Sequence, residues 1–172
     1  MKNKFLVVKE LFGVYRRIRG MTQINKTSKK KEFKMNTKYQ KSFGGREKYF
    51  PTKYKKDRTN DCVVRAIAHI TGLDYLSIFK DLLDLSLKTG HLPNEERTYG
   101  TYLKNLGWVK NSPLTHSGRK KYKIKNIPLN QSNHYLIHTC GHVTALVDGT
   151  LLDSWDCREW KAQSYYTRAE GK

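Results

Sequence analysis

Three residues far apart in this chain are of the types that build a sulfur nucleophile: Cys62, His142 and Asp153. Asn60-Asp61 reads as a helix N-cap ahead of the apolar-periodic run 62–70, and Gly72 closes that run, so the Cys62 sulfur falls in the first helical turn. There the unpaired N–H groups and the positive end of the helix dipole favour thiolate over thiol, and thiolate is the nucleophile. Eighty residues on, Gly141-His142 opens an apolar run that turns at Asp148-Gly149 and returns through Thr150-Leu151-Leu152 to Asp153-Ser154-Trp155. Asp-Gly between two apolar runs is a strong hairpin signal, and such a hairpin brings the start of one strand beside the end of the next. His142 and Asp153 then become neighbours, a base and the group that orients it. Together with a helix-start cysteine they make a nucleophilic constellation.

The elements needed to hold these groups are legible around them. Asp74 is a second cap, before a helix over about 75–88 with Leu76, Phe79, Leu82, Leu83 and Leu87 on one face and Gly90 as its stop. A third helix runs over about 98–106 to Gly107. Trp108-Val109 opens the β part, with strands expected near 121–125, 134–138, 142–147 and 150–155. Helices first and antiparallel strands afterwards make an α+β layout. Residues 21–48 are Lys-rich and poor in aliphatics, so order is expected to begin near Tyr49-Phe50-Pro51. This divides the chain into a basic, largely disordered N-terminal arm over 1–48 and a folded domain over 49–172.

The charge is unevenly spread. Residues 1–58 hold 19 of the 34 Lys and Arg and 4 of the 15 acids, a net +15, which leaves +4 of the total +19 for residues 59–172. Such an arm attracts nucleic acid non-specifically, through counterion release. Phe5-Leu6-Val7-Val8 is too short for a signal-peptide core, and with Leu11, Phe12, Val14, Tyr15 and Ile18 it fits a short amphipathic basic helix. Met21 and Met35 each offer an internal start. No stretch approaches a membrane span, and three cysteines without framework spacing suit a reducing, cytoplasmic setting.

Cysteine at the N-terminus of the first major helix, histidine at the start of a later strand and Asp153-Ser154-Trp155 on the next strand resemble the papain-like cysteine peptidases, whose histidine strand is followed by Asn-Ser-Trp. The small bacterial and bacteriophage members, including the double-glycine leader peptidases, often carry Asp in that place. The resemblance covers about residues 50–160 and implies a papain-like fold and a thiol hydrolase that cleaves a peptide or isopeptide bond of a protein substrate, without a cofactor. It implies Cys62 as nucleophile, His142 as general base and acid, Asp153 as the group fixing the imidazole tautomer, and Trp155 as cover for the His–Asp bond. Family members usually carry a Gln six residues before the cysteine, where this chain has Lys56; Asn60 is the nearest amide, and the Cys62 N–H is the other oxyanion donor. Asp156 is a reserve orienter.

Two other readings use the same residues. His134, His138, Cys140 and His142 crowd into nine residues and are zinc-ligand types, but Thr139-Cys140-Gly141 reads as a turn that breaks their shared face, so no metal is expected. A non-catalytic binding module of viral or mobile-element origin, holding nucleic acid or a host protein on its basic surface, is the alternative from another functional class. The basic run 118–125 reads as a solvated edge-strand guard, with phosphate binding as its alternative.

Overall fold

A computed structural model describes residues 37–50, 59–116, 118 and 120–169. The described residues form an α+β arrangement of three helices and a six-stranded mixed sheet. Helix α1 is Cys62–Thr71, α2 is Tyr75–Thr89 and α3 is Glu96–Asn105. Gly72 and Gly90 stop the first two with φ of 72° and 74°, a left-handed turn that glycine adopts without a Cβ penalty. Asp74 caps α2 as expected, its carboxylate accepting the Ser77 N–H at 3.1 Å.

The strands are β1 Lys38–Lys41, β2 Trp108–Asn111, β3 Thr115–His116, β4 Lys120–Lys121, β5 His134–Thr139, β6 His142–Val147, β7 Thr150–Asp153 and β8 Ser164–Arg168. The large sheet runs β1-β7-β6-β5-β8-β2, while β3 and β4 pair separately. The Asp148-Gly149 hairpin forms as the sequence predicts. Val147 pairs with Thr150 across it, and φ values of 46° and 71° at Asp148 and Gly149 are those of a tight two-residue turn matched to strand twist.

Side-chain alternation in the sheet builds two cores. Leu136, Val143 and Ala145 face the helices and pack with Ile67, Ile78 and Leu103, whereas Ile137, Leu146 and Leu151 point the other way onto Ile124, Ile127 and Cys157. Helix α1 is buried along almost its whole length, and it carries the nucleophile candidate into the first of these cores.

Several expectations are corrected. The arm boundary at residue 48 falls too late: β1 lies parallel to β7, from Lys38 opposite Thr150 to Lys41 opposite Asp153, and the buried Thr37 hydroxyl donates to the Ile124 carbonyl. An edge strand needs little apolar surface, and one half-buried Tyr39 beside solvated lysines suffices, so a Lys-rich composition concealed it. The arm's residues 1–36 lie outside the described residues. The sheet is therefore mixed rather than antiparallel. On α2 the buried line is Tyr75, Ile78 and Leu82; Leu83 and Leu87 turn outward, Leu87 being 85% exposed. The strand expected near 121–125 is instead the short β4 followed by a 3-10 turn at Ile124–Asn126, and β8 is an element the sequence reading lacked. Among the described residues no helix is long and apolar enough to cross a membrane.

Candidate active site

Cys62 opens α1 after Asn60, whose left-handed φ of 49° turns the chain into the helix. Asp61 occupies the cap position but does not cap the backbone. Its carboxylate accepts from Arg65 Nε at 2.8 Å and from the Tyr75 hydroxyl at 2.6 Å, and it pairs with Arg46 Nε at 3.0 Å. The Cys62 sulfur meets the start of β6, close enough to the His142 ring and the Val143 N–H for both to lower its pKa. Strand β7 pairs with β6 only from Ala145 onward, so on that side Val143 has no strand partner.

The same register brings histidine and aspartate together. With Ala145 opposite Leu152, Asp153 comes level with Thr144, and alternation sets His142 on the face of Thr144. His142 Nε2 lies 2.6 Å from Asp153 Oδ2, both side chains being buried. The carboxylate is held from several sides, since Oδ1 accepts the Ser154 N–H at 2.7 Å and Arg65 Nη1 at 3.3 Å, and Cys157 Sγ donates to Oδ2 at 3.7 Å. With Nε2 committed to Asp153, Nδ1 is the ring nitrogen able to exchange a proton with Cys62.

Electrostatics follow this geometry. Burial alone would lower the His142 pKa, but hydrogen bonds to Asp153, Cys157 and Cys62 outweigh it and raise it to about 11. Burial would raise the Cys62 thiol, yet the His142 hydrogen bond, the Val143 N–H and the charges of His142 and Arg65 bring it below its ordinary value. Asp153 is likewise held below the usual carboxylate range, its burial outweighed by His142 and Arg65. The opposite shifts on sulfur and imidazole both run toward the thiolate–imidazolium form.

Trp155 lies against the imidazole with ring centroids 5.1 Å apart, and Trp160 stands edge-on to Trp155, also at 5.1 Å. Both indoles are partly exposed, so they wall the histidine while presenting apolar surface to solvent. Asp156 does not orient the histidine; it is exposed and pairs with Arg158. Asn60 is exposed beside Cys62, its amide making no hydrogen bond among the described residues, and Lys56 lies outside them. The histidine-cysteine crowd at 134–142 does not converge: His134 Nδ1 bonds the Ile70 carbonyl at 3.1 Å, Cys140 is exposed in the turn, and only His142 reaches the site. Among the described residues, the ligand-type atoms of His142, Asp153 and Cys157 lie within 4.8 Å of one another. Yet Nε2 and Oδ2 already bond each other directly, and Arg65 holds a positive charge on the same carboxylate, so this set fits a hydrogen-bonded network better than a cation. In the basic run, Lys121 bonds Gln163, and Lys123 and Lys125 bond Glu159.

Arg65, Cys157 and Trp160 are site residues that the sequence reading missed. Arg65 left a signal, a lone charge inside the apolar run 63–68; Cys157 and Trp160 follow the last predicted strand and show none. No family model, no curated protein and no solved structure matches this chain.

Proposed function

We propose that this chain is a papain-like thiol hydrolase that cleaves a peptide or isopeptide bond. The observation that carries the reading is the buried 2.6 Å bond from His142 Nε2 to Asp153 Oδ2, with the Cys62 thiol near enough to the same ring for its pKa to be lowered by it. The Cys62 thiolate attacks the substrate carbonyl carbon, and the carbonyl electron pair moves to oxygen. The Cys62 backbone N–H and the Asn60 amide serve as donors to that oxyanion. Collapse of the tetrahedral adduct re-forms the carbonyl and breaks the C–N bond, while the His142 imidazolium gives its proton to the leaving amine. Water, losing a proton to His142, then hydrolyses the thioester and returns the acid product and the free thiol. Asp153 keeps the imidazole in one tautomer and offsets its positive charge throughout. Trp155 and Trp160 limit water at the His–Asp pair.

The test is turnover of a mixed peptide and isopeptide substrate library, read by mass spectrometry, alongside iodoacetamide alkylation near pH 6. Cleavage that Cys62→Ala and His142→Ala both abolish, with Cys62 alkylated faster than the exposed Cys140, is the expected result. Cleavage that survives Cys62→Ala, or a Cys62 that stays unreactive in the folded protein, would rule the hydrolase out.

A further inference from the structure

We propose that Arg65 is a positioning residue of this site, its guanidinium tying the helix that carries Cys62 to Asp153 and keeping a fixed positive charge near the sulfur. This rests on the Cys62–His142–Asp153 reading. The nucleophile and the aspartate come from elements about ninety residues apart, and Arg65 bonds acids on both: Asp61 Oδ1 through Nε at 2.8 Å, and Asp153 Oδ1 through Nη1 at 3.3 Å. Its side chain is 6% exposed. Burying a guanidinium is costly, and a hydrophobe would be expected at this place in an apolar helix on packing grounds alone, so a buried ion pair here points to orientation. A planar fork can span two carboxylates where a lysine ammonium cannot.

The surroundings support a fixed placement. Asp61, the inner anchor, is itself held by Tyr75 and Arg46, and Gly44 packs its backbone onto that of Arg65. A Cβ on Gly44 would come 2.8 Å from the Arg65 carbonyl oxygen, and its φ of +62° independently disfavours a side chain. The segment before α1 is thereby fastened to the residue that links α1 to β7. The titratable and charged groups around the sulfur are Arg65 from its own helix, Asp61 at the cap position before it, Tyr99 from α3, His142 from β6, and Asp153 and Cys157 at and beyond the end of β7. His142 and Arg65 supply the positive charge among them.

Arg65→Met and Arg65→Lys test this in the full chain. Cys62 alkylation by iodoacetamide is followed against pH by peptide mapping, with Cys140 in the same molecule as the exposed comparison and near-UV circular dichroism as the check on fold. The expected result is an alkylation midpoint moved up by about one pH unit in Arg65→Met, with Arg65→Lys between it and the unaltered protein because the charge returns without the span. A folded Arg65→Met whose midpoint is unmoved overturns the proposal and leaves Arg65 a packing residue. If Arg65→Met does not fold, Arg65→Lys decides alone, and a midpoint equal to that of the unaltered protein overturns the proposal. An unaltered protein in which Cys62 reacts no faster than Cys140 instead removes the thiolate reading, and the proposal with it.

Discussion

Replacing Asp153 by alanine should both loosen the fold and silence the thiol, and the structure sets the scale of each effect. The carboxylate is buried and is the acceptor for His142 Nε2, Arg65 Nη1 and the Ser154 N–H, so alanine leaves an imidazole and a guanidinium short of an acceptor. Removing one partner of a buried pair in this way costs about 3–5 kcal/mol. At about 2–4 °C per kcal/mol for a domain near this size, the melting temperature should fall by about 6–20 °C. Asp153→Asn keeps an oxygen for His142 but loses the charge and turns an NH2 donor toward Arg65 Nη1 and the Ser154 N–H, so it should cost at least about 1–3 kcal/mol while leaving the His142 bond in place. The chemistry should follow the same order. Without Asp153, burial becomes the dominant influence on His142, its pKa falls from about 11 toward the neutral range, and the imidazolium that favours the Cys62 thiolate is lost at pH 7. Thermal melts read the first effect and the pH dependence of Cys62 alkylation reads the second. The midpoint is the safer measure, because a thiol of higher pKa is intrinsically more nucleophilic and partly masks a loss of thiolate in a rate taken at one pH. An Asp153→Ala protein melting within a degree or two of the unaltered one, with the same alkylation profile, would refute the coupled network.

Other outcomes follow from the same contacts. A chain beginning at Tyr49 loses β1, the Lys38 N–H bond to the Gly149 carbonyl, the Ser42 N–H bond to the Asp153 carbonyl and the Arg46–Asp61 pair, so it should lose several kcal/mol in a urea titration; an unchanged midpoint would return residues 37–48 to the arm. Gly44→Ala should cost at least about 1–2 kcal/mol from its left-handed φ alone, and more from the clash with Arg65; a neutral result in the same titration would mean that this segment moves freely. Stability against pH should fall at both ends. Asp61 and Asp153 sit below the usual carboxylate range, so their contribution is complete above about 4 and is lost as pH drops through their folded values. His142 is raised, so its contribution is complete below about 6.5 and is lost as pH climbs toward about 11, while the lowered Cys62 opposes that loss until about 8.5. A melting temperature that rises steadily between pH 9 and 11 would contradict the His142 assignment.

Local chemistry carried a large part of this protein in its sequence. Gly72, Asp74 and Gly90 end or begin helices by backbone conformation and side-chain capping within a few residues, and Asp148-Gly149 sets a hairpin turn by its tolerance of positive φ, so helix limits and the β6–β7 pairing could be read directly. That pairing alone predicted which histidine meets which aspartate, since strand alternation fixes which residues share a face. Distant contacts were not legible. A four-residue edge strand of mostly solvated side chains is recognised only by the β7 backbone it hydrogen-bonds, over a hundred residues later. The inward face of α2 was misjudged because Leu82, Leu83 and Leu87 are equally apolar as letters, and only the position of the neighbouring helices decides which are covered. Arg65 reads as a charge among hydrophobes, and the tertiary structure alone supplies the two carboxylates, one of them eighty-eight residues away, that make its burial tolerable. Cys157 is a lone thiol by sequence, and chain closure after β7 is what turns it onto Asp153. Capping, turn conformation and strand alternation act over a few bonds and are written in adjacent residues, whereas ion-pair partners and strand neighbours depend on how the whole chain closes.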